Sequence, residues 1–208
     1  MDPPPPIASD PFWSQTLVLI NGDTDPWYTN AANTGIYLDA NVTTSTTSGK
    51  FGKGIAFPAI QTLPILRGGM PTMTGDFTAE MWVNNPGLTD TNHYLLSSTT
   101  GRHILYILGS SLGIHTLGYV GEVVPIGEWS HIAMVRSANT MSWYVNGMQV
   151  ATRNDSSAIL IDGIGNFVGA GYSTTTYRFT GAMDDIRIST VARYTGNFTP
   201  PTAPHPVG

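Results

Sequence analysis

The sequence consists of short runs of β-favouring residues separated by glycine, asparagine, aspartate, proline and serine. Between Leu17 and Ser189 no segment keeps a helical period over several turns, so strands must form the fold. Phe77, Ala79, Met81 and Val83 alternate with more polar neighbours, which is the period of a half-buried strand. Many short strands with frequent turns predict an all-β, two-sheet antiparallel sandwich.

A hairpin is predicted around Asn146-Gly147, because both residues tolerate the positive φ of a type I′ turn. The preceding strand should cover 141–145 and the returning strand 148–152, with a further strand at 129–136. Residues 104–108 are apolar at every position, which predicts a strand covered on both faces.

One domain accounts for most of the 208 residues, because sandwiches of this size often have a single core. Residues 1–15 form a Pro-rich arm, 16–199 the domain, and 200–208 a Pro-rich tail. Four consecutive prolines favour polyproline II and cannot enter a sheet interior. We expect the arm to contact a neighbouring protein through the segment Pro3, Pro4, Pro5, Pro6 and Ile7.

Composition excludes several classes of function. Only 11% of residues are charged and the net charge is -5, without a basic stripe, which argues against binding to nucleic acid or to anionic membranes. No apolar stretch is long enough to span a bilayer. The absence of cysteine excludes disulfides and thiolate metal sites. The N-terminal residues lack the basic and apolar regions of a secretory signal, as expected for a phage protein released by lysis.

Five motifs carry a family likeness, and they occur in the order typical of the family. They are GKFGKGIAF at 49–57, DFTAEMWV at 76–83, GEWSHIA at 127–133, YVNG at 144–147 and FTGAMDDIRI at 179–188. Together they resemble the laminin-G-like jelly rolls of the concanavalin A-like lectin/glucanase superfamily. The opening LVLINGD at 17–23 and the closing ARYTGNFTPP at 192–201 are similar to phage-encoded members. The resemblance implies a jelly roll that binds carbohydrate or protein, often as an appendage of a larger assembly.

The superfamily includes glucanases, yet the acidic residues do not fit a glycosidase. A retaining enzyme needs two carboxylates about 5 Å apart. The chain has only three glutamates, and Asp76 lies four strand residues before Glu80, roughly 13 Å away. Asp184 and Asp185 are adjacent and should point to opposite faces of a strand. We therefore expect a protein that is not an enzyme, and we expect His131 to be structural and bonded to the backbone.

Calcium is the one cofactor that the resemblance suggests, since these folds often hold it with aspartate side chains and loop carbonyls. The candidate ligands are Asp23 and Asp25 in the first loop, and Asp184 or Asp185 near the last strand. The alternative is that the first two form an Asx-turn and that Asp185 bonds to the backbone or to Arg187.

Glycan binding is predicted for aromatic residues near polar loops, because sugars stack on exposed rings. The candidates are Trp27, Tyr28, Tyr94, Tyr172 and Tyr177. These rings could instead cap the sandwich or contact other proteins.

Two functions remain open. The first is a homo-oligomeric phage virion protein at the particle surface, either a capsid decoration protein or a fibre subunit, with capsid or tail proteins as partners. The second is a carbohydrate-binding lectin module or a tail protein that binds a host receptor, with cell-surface glycan as its partner.

Overall fold

A computed structural model gives the fold and describes residues 9–24, 29–38, 45–57, 65–67, 70–98, 105–114, 117–159, 166–170 and 177–208. Their regular structure is almost entirely β. The strands are β1 Thr16–Ile20, β2 Tyr37–Leu38, β3 Ser45–Ser48, β4 Lys53–Phe57, β5 Ile65–Arg67, β6 Phe77–Asn84, β7 His93–Ser98, β8 Leu105–Leu108, β9 Ser111–Ile114, β10 Gly118–Glu122, β11 Trp129–Ser137, β12 Thr140–Val145, β13 Met148–Asn154, β14 Asn166–Val168 and β15 Gly181–Ser189.

The strands form two antiparallel sheets that pack face to face. The first sheet has eight strands in the order β13-β12-β11-β6-β15-β4-β3, with β1 also paired to β15. The second has seven strands in the order β10-β9-β8-β7-β14-β5-β2. Because many neighbours in each sheet are distant in sequence, the chain crosses repeatedly between the sheets, as in a jelly roll. The predicted all-β, two-sheet fold is confirmed.

The core lies between the sheets and follows the predicted alternation. Phe77, Ala79, Met81 and Val83 all point into it from β6, and Trp143 on β12 is among the largest side chains that it buries. In the described part of the chain the only helical element is a short 3₁₀ turn at Trp13–Gln15. No helix there has the length and apolar character required to cross a membrane.

The predicted hairpin joins β12 to β13. Asn146 has φ 49° and Gly147 has φ 78°, the two positive values that a type I′ turn requires. The apolar strand predicted at 104–108 corresponds to β8. Leu105 and Ile107 face the core, while Tyr106 faces the other side and packs in a separate aromatic cluster.

The outer face of the first sheet is covered by residues 190–208, here called the C-terminal segment. Tyr194 and Phe198 of this segment pack on Ala133 and Tyr144, which point outward from β11 and β12. The backbone N–H of Asp10 donates to the carbonyl of Gly208 at 3.3 Å, so residues near both ends lie on this face. The described parts of the predicted arm and tail therefore contact their own domain.

Candidate functional site

A cluster of four tyrosines, here called the tyrosine face, covers part of the outer side of the second sheet. Tyr94 on β7 stacks on Tyr177, with ring centroids 4.9 Å apart and planes 9° from parallel. Tyr106 on β8 lies 5.3 Å from Tyr94, and Tyr119 on β10 meets Tyr106 edge to face at 5.6 Å. This cluster is separate from the core between the sheets.

The tyrosine face depends on a glycine. Gly113 on β9 is paired with Tyr106, and a Cβ atom at Gly113 would lie 1.8 Å from the Tyr106 ring. The ring therefore lies flat across the backbone of β9, where no side chain other than hydrogen fits. In this position it bridges Tyr94 on one side and Tyr119 on the other.

The four rings differ in their exposure to solvent. Tyr94 and Tyr106 are buried, whereas Tyr177 is half-buried and Tyr119 is 49% exposed. The hydroxyl of Tyr119 donates to Oδ1 of Asn92 at 2.6 Å, which fixes the orientation of this exposed ring. Two buried rings thus support two accessible ones.

Polar groups lie beside the rings. The carboxylate of exposed Asp90 is 3.0 Å from Nε2 of His93, and Nδ1 of His93 is 2.8 Å from the carbonyl oxygen of Arg178. Attraction to His93 holds the pKa of Asp90 below its usual value. The tyrosine face therefore combines aromatic surfaces with an amide and an ionised carboxylate.

Sequence reasoning identified this region in part. Of the predicted glycan-binding residues, the structure brings Tyr94 and Tyr177 into direct contact. Trp27, Tyr28 and Tyr172 lie outside the described residues. Tyr106 and Tyr119 were missed.

A usable signal for Tyr106 existed in the sequence. Tyr106 stands between Leu105 and Ile107 in the strand. Because successive side chains of a strand point to opposite faces, Tyr106 had to point away from the core if its two neighbours enter it.

The predicted calcium ligands divide between two places. Oδ1 of Asp23 accepts the N–H of Lys53 at 2.8 Å, and Oδ2 of Asp184 accepts the N–H of Phe51 at 2.9 Å. Both carboxylates thus lie against the turn formed by residues 49–53. Asp185 is directed elsewhere, because it adopts φ 51° and accepts the backbone N–H of His205 at 3.0 Å.

The turn at 49–53 is shaped to admit these two carboxylates. A Cβ atom at Gly49 would lie 2.6 Å from Oδ2 of Asp184, and one at Gly52 would lie 2.4 Å from Oδ1 of Asp23. Burial raises the pKa of Asp184 to about 6, and the negative charge of Asp23 adds to this effect. A cation between them would relieve the repulsion. Asp25 lies outside the described residues.

A second group of polar residues is buried beneath the C-terminal segment, around Glu80 on β6. Oε1 of Glu80 accepts the Nε–H of Arg187 at 2.8 Å, and Oε2 accepts the hydroxyl of Tyr194 at 2.7 Å. Burial opposes ionisation, but the adjacent His131 and Arg187 outweigh it and lower the pKa of Glu80. This glutamate is 0% exposed.

The ring of His131 does not bond to the backbone as predicted. Its Nε2 lies 3.2 Å from Oε2 of Glu80, and its side chain is fully buried. The backbone of His131, and not its ring, bonds to Asn146: its N–H donates to Oδ1 at 2.9 Å and its carbonyl accepts the Asn146 N–H at 2.8 Å. The sequence prediction failed because the partner, Glu80, lies diagonally across on the neighbouring strand β6, where it pairs with Ala133, and is distant in sequence.

Residues near the two ends meet in a further ionic cluster. The guanidinium of Arg193 donates to both oxygens of Asp10 at 2.9 Å, and Arg187 donates to the same carboxylate at 3.2 Å. Asp10 is almost completely buried. The segment Pro3–Ile7, predicted to contact other proteins, lies outside the described residues.

Comparison with known families agrees with this architecture. A family model described as the concanavalin A-like lectin/glucanases superfamily, Laminin_G_3, matches residues 66–195, well over half of the chain. The chain belongs to this superfamily. A search of curated proteins by sequence found no match to this chain.

Solved structures share its fold at low identity. Domain 4 of AbnA, a GH43 extracellular arabinanase from Geobacillus stearothermophilus solved with arabinotriose, has a TM-score of 0.65 and 15% identity, covering 86% of this chain and 93% of that one. The binding domain of Paraclostridial Mosquitocidal Protein 1 has a TM-score of 0.66 and 12% identity, covering 88% and 50%. The native heptameric SAP-like pentraxin from Limulus polyphemus has a TM-score of 0.50 and 20% identity, covering 68% and 77%. At these identities the likeness concerns the fold.

Proposed function

We propose that the protein is a non-enzymatic carbohydrate-binding domain and that the tyrosine face is its binding surface. The observation that carries this proposal is the pair of accessible rings, Tyr119 and Tyr177, supported from below by the buried rings of Tyr94 and Tyr106. A rigid aromatic surface with polar groups at its edge suits a sugar, which has apolar C–H faces and a rim of hydroxyls.

The arrangement limits the entropic cost of binding. Tyr119 is already held by its hydrogen bond to Asn92, and Tyr177 by its stacking on Tyr94. Little side-chain freedom remains to be lost when a ligand stacks on these rings. Asn92 and Asp90 would contribute the hydrogen-bonding groups that orient sugar hydroxyls.

Two structural neighbours are consistent with this function. Domain 4 of the arabinanase was solved with a trisaccharide, and the mosquitocidal protein domain is described as a binding domain. These relatives support a glycan or a glycan-bearing receptor as the ligand class.

The burial of Glu80 supports a binding function over hydrolysis. A glycosidase needs two carboxylates that reach the scissile bond, one of them able to donate a proton. Glu80 is fully buried beneath the C-terminal segment, is bonded to Arg187 and Tyr194, and has a lowered pKa. Such a group has neither access to a substrate nor a proton to give.

A glycan array probed with three proteins tests the proposal. We expect the wild type to bind at least one neutral or receptor-type glycan. Tyr119→Ala should weaken that binding about tenfold, which corresponds to a loss of roughly 1.4 kcal/mol of binding free energy. Tyr37→Ala is the matched control, because Tyr37 is 48% exposed but lies on β2, at the far edge of the same sheet. Equal affinity for all three proteins, or no binding by the wild type, would contradict the proposal.

We further propose that Asp23 and Asp184 bind calcium at the turn of residues 49–53. Their carboxylates converge on one turn without a basic partner among their described hydrogen bonds. Calcium would offset the two negative charges and would draw further oxygen ligands from the loop carbonyls.

A second candidate function is that of a phage virion appendage, and the position of Asp10 and Gly208 favours it. Asp10 and Gly208 meet on the outer face of the first sheet, opposite the tyrosine face. A domain attached near these residues would direct its tyrosines away from the particle. Mass spectrometry of purified particles, scaled to the major capsid protein, tests this role. A high copy number indicates capsid decoration, a few copies indicate a fibre or tail component, and absence from particles refutes it.

A further inference from the structure

Two buried histidines approach Glu80 from different parts of the chain. His131 comes from β11 and His205 from the C-terminal segment, and their side chains are 0% and 4% exposed. Nδ1 of His131 has no hydrogen-bond partner among the described residues, and the Nε2 atoms of both rings contact carboxylate oxygens at 3.2–3.9 Å without hydrogen-bond geometry. Buried polar atoms without partners are rare and call for an explanation, such as a bound ion or an ordered water.

The two oxygens of Glu80 have different surroundings. Oε1 is taken by Arg187, whose Nε and Nη2 lie 2.8 and 2.7 Å away. Oε2 faces the histidines, with Nε2 of His131 at 3.2 Å and Nε2 of His205 at 3.9 Å. Arg187 therefore neutralises one side of the carboxylate, while the other side accepts the Tyr194 hydroxyl at 2.7 Å and faces two imidazole nitrogens.

We propose that Glu80, His131 and His205 form a buried site for a divalent transition metal, with zinc as the best fit. Their ligand atoms all lie within 4.8 Å of one another. Two ligands of a tetrahedral zinc ion are about 3.4 Å apart when each bond is near 2.1 Å. The two separations from Oε2 of Glu80, 3.2 and 3.9 Å, reach this value with shifts of a few tenths of an ångström, and a separation at the 4.8 Å bound of the group would have to shorten by about 1.4 Å.

The donor set distinguishes this site from the calcium site at residues 49–53. Two imidazoles and one carboxylate suit zinc and its neighbours in the transition series, whereas calcium takes oxygen ligands almost exclusively. His205 is buried and its Nε2 faces the carboxylate of Glu80, so the imidazole can offer the neutral nitrogen that metals bind. The Tyr194 hydroxyl, which donates to Oε2, orients the carboxylate in the manner of an outer-shell partner.

The consequence for the fold is a metal cross-link between β6, β11 and the C-terminal segment. His205 is the only one of the three ligands outside the first sheet, so metal binding stabilises the docked position of this segment. In a chain without cysteine, such an ion would take the role that a disulfide cross-link has in other small domains. The fourth position would be taken by water or by Asp185, whose Oδ2 lies 3.6 Å from Nε2 of His205.

Thermal unfolding of the chelator-treated full chain tests the site. One equivalent of zinc should bind, and at a hundredfold excess over the dissociation constant the melting temperature should rise by about 5–10 °C. Magnesium should give no rise. His205→Gln should remove the response, whereas His93→Gln should retain it, because His93 bonds to Asp90 and to Arg178 in the second sheet.

Cobalt provides a second readout that does not depend on stability. Co²⁺ in a site with two imidazoles and one carboxylate gives visible absorption bands, which should be present in the wild type and lost in His205→Gln. If neither metal binds, or if His205→Gln responds like the wild type, the proposal is overturned and a buried water must satisfy the histidines. Because the tyrosine face lies on the other sheet, glycan binding by a zinc-unresponsive protein would overturn only the metal site.

Discussion

Replacing Gly147 with alanine should detach part of the C-terminal segment from the first sheet. Gly147 has φ 78°, and a Cβ atom there would lie 1.8 Å from the carbonyl oxygen of Phe198. The N–H of Phe198 also donates to the carbonyl of Gly147 at 2.9 Å. Backbone meets backbone at this point, so the added methyl group can be accommodated only if the segment moves.

The expected loss of unfolding free energy in Gly147→Ala has two parts. One part applies to any glycine with positive φ, and the other comes from the contact with the C-terminal segment. Positive φ costs a non-glycine residue about 1–2 kcal/mol. The lost hydrogen bond to Phe198 adds about 1 kcal/mol. Partial exposure of the Phe198 ring, which stacks on Tyr194 with centroids 3.5 Å apart, adds about 1–2 kcal/mol.

Gly127→Ala is the matched control, because Gly127 has φ 77° and an added methyl group there would meet no atom within 4 Å. Urea unfolding monitored by tryptophan fluorescence should show that Gly147→Ala loses about 2–3 kcal/mol more than the control. Equal losses in the two variants would show that the C-terminal segment is not docked against the hairpin, and would refute the reasoning.

Three further predictions concern the other sites. Burial raises the pKa of Asp185 to about 7, so the folded chain keeps a proton that the unfolded chain releases near pH 4, and stability should fall as the pH rises towards 8. Asp185→Asn should therefore gain about 2–3 kcal/mol relative to the wild type between pH 5 and pH 8 in urea unfolding with chelator present, most of it below pH 7; a constant difference would exclude this titration. Gly113→Ala should displace the ring of Tyr106 and weaken glycan affinity about tenfold in calorimetry, and unchanged affinity would mean that this ring does not support the site. Calcium should raise the melting temperature of the wild type by several degrees, but not that of Asp184→Asn, and an equal response of both would remove Asp184 as a ligand.

The fold was predictable because its signals are local. The alternation in residues 77–83 shows which side chains enter the core, and Asn146-Gly147 specifies its own turn. Five short motifs in a fixed order were enough to indicate the family. The docking of the C-terminal segment was not predictable, because it depends on contacts such as Gly147 with Phe198 that no local pattern records.

The candidate sites were predictable only where sequence position implied proximity. Asp23 and Asp184 do lie against one turn, as expected if the first and last strands of such a fold are neighbours, and β1 does pair with β15. The contact of Asp185 with His205 was missed, because a bulge in β15 redirects the aspartate and the tail supplies its partner. Of the tyrosine face, the sequence singled out only Tyr94 and Tyr177. The contacts of Tyr106 with Tyr94 and Tyr119 depend on the order of the strands in the sheet, which the sequence does not reveal.

The central claim, that sugars bind at the tyrosine face, is tested most directly by an NMR titration of the aromatic ring signals with a glycan identified on the array. The account predicts that the signals of Tyr119 and Tyr177 shift with the bound fraction, while those of Tyr37 and Tyr194 stay unchanged. Shifts confined to Tyr194, which packs over the opposite sheet, or to other rings outside the tyrosine face would contradict it.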